Sequence, residues 1–287
     1  MDFEKYIKGS SDFKIKLELK GYLEKLFANI DFDFENSALN INSSIVLDDF
    51  FLSPKNYNVI MDLKRFRIKE RILSKFFNDS INSIYSQYYN DIKDLDIKGE
   101  IKFAKNNFDG NLYFLSNKGK LNIEYVYKKN DNSSNYQINC NLQKTQFEGL
   151  NFMHNIKAFD GNFKIKGFID KSKTHNFSWE SDIKKLVYSD ISINNIKIDG
   201  KSEKGYVKSK LNFNSIDFKL KGELSFKKDY SDFNIFLNIN KLNLSKLKLA
   251  SQQKNVFFSG LINSDNHNIE ESNKIFIKSP NLTVDNN

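Results

Sequence analysis

Cysteine occurs once in the 287 residues, at Cys140, which excludes an internal disulfide and any cysteine-built zinc or iron–sulfur site. Alanine is nearly as scarce, with five positions, while phenylalanine reaches 27 and tyrosine 13. Such a mixture disfavours a helical bundle and favours strands. No run of about 18 apolar residues exists, so the chain contains no membrane-spanning helix. The first residues, Met1-Asp2-Phe3-Glu4-Lys5-Tyr6, lack the apolar stretch of a secretory signal. The chain is therefore expected to be either cytosolic or an internal piece of a longer exported protein. Arginine is confined to Arg65, Arg67 and Arg71, against 41 lysines. The net charge of +8 invites a nucleic-acid reading. Three arginines are poor provision for the bidentate contacts that phosphate and base recognition use, and no nucleic-acid partner is expected.

What is abundant is period-two alternation. Phe13, Ile15, Leu17 and Leu19 alternate with Lys14, Lys16, Glu18 and Lys20. The same pattern runs through Val59, Met61 and Leu63, through Leu121 to Tyr127, and through Tyr136, Ile138, Cys140 and Leu142. It returns in Ile216, Phe218 and Leu220, in Leu224 and Phe226, and in Phe233, Ile235, Leu237 and Ile239. Successive side chains of a strand point to opposite faces, so these segments have one apolar and one wet face, as in antiparallel sheet. Turn signals at Lys118-Gly119-Lys120, Asn130-Asp131-Asn132-Ser133, Asp199-Gly200-Lys201 and Lys228-Asp229 predict a meander of hairpins. Charge is uneven: residues 1–50 carry 6 lysines and 10 acids, a balance of −4, and residues 201–250 carry 11 lysines and 5 acids, a balance of +6. Because most of those lysines alternate with apolar residues, they read as the solvated face of strands rather than as a patch.

One segment departs from the strand period. Ile72, Leu73, Phe76, Phe77, Ile81, Ile84, Tyr85 and Tyr88 recur at helical spacing, which predicts an amphipathic helix over residues 71–90 plugging one end or flank of the sheet. The expected organisation is a strand segment over 1–70, this helix, and a continuous antiparallel sheet over 91–287. Two internal echoes occur. Asp94–Phe103 resembles Asp217–Phe226, both reading aliphatic-Lys-Gly-Glu-aliphatic-x-Phe, and Phe108-Asp-Gly-Asn111 resembles Phe159-Asp-Gly-Asn162. Their offsets, 123 and 51, differ, which excludes the fixed period of a propeller or solenoid. Gly99, Gly167 and Gly222 fall where alternation demands an inward side chain, and are expected to mark bulges or bends.

The residues that carry chemistry are few and scattered. His154, His175 and His267 lie far apart, and no HExxH, GxSxG, GxGxxG or P-loop pattern occurs. Asp31 and Asp33, and Asp94 and Asp96, are paired carboxylates at i and i+2. On a strand such pairs share the wet face, a simpler account than acid–base catalysis. Cys140 reads as a small buried apolar residue. Trp179 could offer a sugar platform, but a lone tryptophan is more often a packing residue. No catalytic residue, no metal site and no cofactor is expected.

Residues 189–249 resemble a known family. Ser189-Asp-Ile-Ser-Ile-Asn-Asn-Ile-Lys-Ile-Asp-Gly200, Gly205-Tyr-Val-Lys-Ser-Lys-Leu-Asn-Phe213, Phe218-Lys-Leu-Lys-Gly-Glu-Leu-Ser-Phe226 and the run Phe233–Leu249 follow one another as in TamB-like translocation and assembly module proteins of the AsmA-like group. Phe51-Leu-Ser-Pro-Lys-Asn-Tyr57 and the strand and helix after it are also similar to the middle of such proteins. The resemblance implies an all-β, mainly antiparallel fold: an elongated, curved sheet or trough with one short helix. At about 4.8 Å per strand, roughly 16 strands would extend about 80 Å. It further implies a non-enzymatic bridge in the periplasm, an internal piece of a longer parent. That parent would be held in the inner membrane by an N-terminal anchor and would meet a TamA-like outer-membrane barrel through its C-terminal part. The role would be phospholipid transport between the membranes, outer-membrane protein assembly, or both. Acyl chains would lie against a groove lined by Phe213, Phe218, Leu220, Leu224, Phe226, Phe233, Ile235, Leu237 and Ile239. The competing expectation is a secreted or surface β-sandwich that binds glycan or protein.

Overall fold

The computed structural model describes residues 13–34, 37–51, 57–70, 72, 93–146, 156–172, 175–188, 191–227, 232–246, 254–265 and 275–286. Among them the chain forms sixteen strands: β1 (Phe13–Gly21), β2 (Lys25–Phe34), β3 (Leu39–Asp48), β4 (Asn58–Lys69), β5 (Asp94–Ala104), β6 (Asn107–Ser116), β7 (Gly119–Lys129), β8 (Ser133–Gln146), β9 (Ile156–Asp170), β10 (His175–Tyr188), β11 (Ile191–Glu203), β12 (Tyr206–Asn214), β13 (Phe218–Lys227), β14 (Asp232–Asn243), β15 (Lys254–Asp265) and β16 (Ile275–Asn286). They are hydrogen-bonded in chain order, β1 to β16, so the connectivity is a pure meander. The pairings from β1 to β7 and from β9 to β16 are all antiparallel. The expected all-β, antiparallel fold is what the chain adopts.

The chain divides into two compact units, Met1–Lys129 with Leu142–His154, and Asn130–Asn141 with Asn155–Asn287. The boundary crosses β8. In the first unit the register aligns Ile15, Phe32, Ile41, Phe66, Ile97, Phe114 and Leu121 across successive strands. Directly opposed residues of an antiparallel pair share a face, so these strands carry one common apolar side. On the other side Lys14 opposes Asp33, and Lys16 opposes Asp31. Of the helix expected over 71–90 only Ile72 and the adjoining Glu70 are described, both helical; the rest lies outside the described residues. Ile72 is 2% exposed and clusters with Ala38 and Leu39 against Phe32, Phe34, Ile41, Phe66 and Ile68. It covers the apolar side of β2–β4.

The glycines resolve into two roles. Gly99 adopts φ of +143°, and the β4–β5 register shifts beside it, between Leu63 and Phe66; it marks a bulge as expected. Gly222 keeps register with Leu211 and Leu237, and Gly167 with Phe177 on β10. A side chain at Gly167 would collide with the ring of Tyr136, and one at Gly222 would lie 2.9 Å from Leu237 Cδ2. Both instead leave room for a large neighbour on the apolar side. The expected turn at Asp199-Gly200-Lys201 is also corrected. Gly200 lies inside β11, beneath the ring of Trp179, and the chain reverses at Lys204–Gly205. There φ is +46° and +83°, the pair of positive values that a two-residue type I′ hairpin requires. Asp-Gly is as good a turn dipeptide as Lys-Gly; the need to seat Trp179 overrides the local preference.

The longer sequence echo is a structural repeat. Gly99 is flanked across the sheet by Leu63 and Leu112, and Gly222 by Leu211 and Leu237. In each unit a leucine–glycine–leucine row crosses the apolar side. Replacing Gly200 by valine sets a branched side chain against the indole, and overpacking of this kind costs about 1–3 kcal/mol. The expected outcome for Gly200→Val is a lowered Tm with altered emission of the chain's single tryptophan. Gly205→Ala, although no atom lies within 4 Å of a new Cβ, places a side chain at a φ of +83° and should lower stability by about 1 kcal/mol, read as a lowered Tm.

Candidate functional site

The nine positions expected to line a groove lie on β12, β13 and β14, or immediately at their ends, and the register brings them together. Phe213, Leu220 and Ile239 stand in one row across the three strands. Leu224 opposes Ile235, and Phe226 opposes both Val207 and Phe233. Leu237 faces Gly222, and Phe218 faces Leu242 beyond a bulge that follows Ile239. Every one of the nine therefore falls on the same side of the sheet; for Phe233 the backbone position alone is described. A slip of one residue in either pairing would have sent a strand's whole set to the other side.

The apolar side is wider than those nine residues. Ile196 and Ile198 of β11 oppose Phe213 and Leu211, and Ile183 of β10 opposes Ile196. Trp179 lies next to Gly200 in register, and its ring is tilted against Phe177 with centroids 5.6 Å apart. Phe159 and Phe163 of β9 stack at 5.2 Å. The sequence reading missed these contributors on β10 and β11. The alternation Ile191, Ile193, Ile196, Ile198 breaks once at Asn195, which has a φ of +55°, and the Asp-Gly pair that follows imitates a turn.

Burial distinguishes this surface from a sandwich core. Ile183, Ile196 and Phe218 are buried, but Leu211, Phe213, Leu220, Leu224, Phe226, Ile235, Leu237 and Ile239 are only half-buried. Residues packed between two sheets would be shielded from both sides. Ser181 and Ser202 interrupt the surface. Both are buried, and their hydroxyls find no hydrogen-bond partner among the described residues. Ser202 sits between Phe177 and Val207 in register, where its small size gives their side chains room.

The opposite side is charged. Asp199 opposes Lys210, which forms a 3.5 Å ion pair with Glu223. Lysine–glutamate pairs two residues apart on one strand recur: Lys16–Glu18 at 2.9 Å, Glu100–Lys102 at 2.6 Å and Lys201–Glu203 at 2.9 Å. Exposed pairs of this sort contribute little stability and chiefly keep the face wet. A groove of about 510 Å³ crosses this side of β10–β15, lined among others by Asp199, Lys210, Glu223, Asn234 and Phe236.

The remaining candidates for chemistry are separated. Asp33 accepts hydrogen bonds from the Ser37 hydroxyl at 2.6 Å and the Ser37 amide at 2.8 Å, and the hydroxyl bond leads in holding its carboxyl below the usual range. Asp96 stands between Arg67 at 3.6 Å and Arg65 at 3.7 Å. His175 begins β10 and is exposed, while His154 and His267 lie outside the described residues. Among the described residues no three of His, Cys, Asp and Glu gather as a metal would require, and no helix is long and apolar enough to cross a membrane.

No protein-family model, no curated protein and no solved structure matches this chain.

Cys140 is half-buried, and burial pushes its thiol above the ordinary range. Thiolate is the reactive form. At pH 8 alkylation of the folded protein should therefore lag behind that of a free cysteine and recover on unfolding in urea, a difference read by mass spectrometry over time.

Proposed function

We propose that the chain is a non-enzymatic part of a cell-envelope bridge. In this reading its apolar side holds the acyl chains of phospholipids in transit between inner and outer membranes, and supports outer-membrane protein assembly. The observation that carries the proposal is the in-register apolar surface of the second unit, continuous from Ile183 through Phe213 to Leu237 and mostly half-buried. Apolar area of this extent is costly in water and marks a surface that takes a partner. Acyl chains suit it because they need no directional bonds, and its side chains there are mainly apolar, interrupted by the small hydroxyls of Ser181 and Ser202. Half-buried rather than buried side chains favour an open surface over the two-sided shielding of a sandwich. The resemblance of residues 189–249 to TamB-like proteins points the same way. It supplies the expected partners: an inner-membrane anchor and a TamA-like barrel, both belonging to a longer parent.

The test is photocrosslinking in cells, with a photoreactive residue placed in the full-length protein at Leu220, Leu237 or Lys219. Leu220 and Leu237 are on the apolar side, and Lys219, their neighbour on β13, is exposed on the other. Phospholipid adducts are expected at the two leucines and not at the lysine. Equal labelling at all three, or none at the leucines, overturns the reading. Leu237→Glu should abolish adducts at Leu220, because an unpaired charge in an apolar setting costs several kcal/mol and draws water in.

A further inference from the structure

The lysine excess of residues 201–250 is not spread evenly over a solvated face. The β11–β12 hairpin and the register of β13 draw four lysines to one place. Lys201 and Lys208 stand directly opposite each other, and Lys227 opposes Tyr206. Lys204 forms the first residue of the hairpin turn. These residues, with Glu203, line a groove of about 450 Å³ on the charged side. Like charges directly opposed across strands destabilise a sheet. Like pairs occur elsewhere on this face, Glu180 with Asp199 and Lys219 with Lys241; the hairpin end differs in gathering four lysines around one groove. Lys201 is paired with Glu203, whereas Lys204, Lys208 and Lys227 have no carboxylate partner among the described residues.

From this juxtaposition we infer that the groove at the β11–β12 hairpin binds a phosphate-type anion, held by Lys204, Lys208 and Lys227 with the Tyr206 hydroxyl as a further donor. Lysine ammonium groups bind phosphate as point charges and do not need the planar fork of arginine. The scarcity of arginine that argues against base recognition is therefore no obstacle here. The site is also held in place. The Lys204 amide donates to Asn176 Oδ1 at 3.2 Å, pinning the turn to the start of β10, and the Lys227 ammonium lies 6.0 Å from the Tyr206 ring centroid. Glu203 already reports the local field. Its carboxyl is held below the usual range first by its hydrogen bond to Lys201, then by the charges of Lys201, Lys204 and Lys208. It is an internal counterion that a stronger anion would have to displace. The site lies on the side opposite the apolar surface, so it stands or falls independently of the acyl-chain reading.

A phosphate group could arrive as a soluble ester or as a lipid headgroup, and the experiment separates them. Inorganic pyrophosphate is titrated calorimetrically into the full chain. In parallel, flotation is measured with vesicles of phosphatidylcholine alone and of phosphatidylcholine mixed with phosphatidylglycerol. Saturable pyrophosphate binding supports a soluble ligand, and binding confined to the phosphatidylglycerol vesicles supports a headgroup; either supports the site. The double variant Lys208→Ala/Lys227→Ala should weaken whichever binding is seen roughly tenfold. Glu203→Gln should tighten it. The control is Lys219→Ala/Lys221→Ala, which removes the same charge from the same face outside the groove and should leave binding unchanged. Circular dichroism establishes that each variant is folded. If the control loses as much as the groove variant, the attraction is bulk charge and the site is refuted. Absence of binding to every probe refutes it equally.

Discussion

Everything in this molecule depends on keeping register between neighbouring strands. A strand of alternating apolar and polar residues is neutral about its partner until the alignment is set; then each apolar residue gains or loses company as a set. Phe213, Leu220 and Ile239 meet only because β12, β13 and β14 are each aligned to within one residue. Bulges adjust this alignment without breaking it. The shift between Leu220 and Lys219 against β14 omits Asn240 from the ladder and returns Leu242 to the side occupied by Ile239. Backbone hydrogen bonds hold the strands together, but apolar alternation tells them where to stop sliding.

The same constraint sorts the side chains that look chemical in isolation. Asp31 and Asp33 face Lys16 and Lys14, which places their carboxylates on the charged side of the sheet. Trp179 is spent on covering Gly200, and Cys140 has its thiol raised by burial. What is left over is sorted by side: an apolar side shielded from water only in part, and a charged side on which lysines outnumber acids. At Lys208 and Lys227 the crowding of lysines comes from the hairpin register.

The strand period was legible because it is a property of single segments, and so were the antiparallel pairing and the common side of the nine residues from Phe213 to Ile239. Three features were not. Asp199-Gly200 reads as a turn, since nothing local reveals that Trp179 needs the space above Gly200. Gly167 and Gly222 read as bends, yet the residues that occupy the room beside them, Tyr136 and Leu237, come from neighbouring strands. The lysine groove was invisible because Lys208 and Lys227 are 19 positions apart and become neighbours only through the β12–β13 hairpin. Each of these depends on which residue stands across the ladder, information that no window along the chain contains.

The meander order carries a consequence for how such a chain can change. Each strand from β1 to β16 draws its hydrogen bonds from the strands before and after it, with no crossover tying distant segments together. Free energy then accumulates by nearest-neighbour junctions, as in a one-dimensional array. A hairpin can be duplicated or deleted as a unit: two strands go in or out, the antiparallel alternation is restored, and every other junction survives. An odd strand cannot, because its successor would run the wrong way. Length in this architecture is therefore quantised in pairs of strands. The leucine–glycine–leucine rows around Gly99 and Gly222 obey the rule, standing eight strands apart.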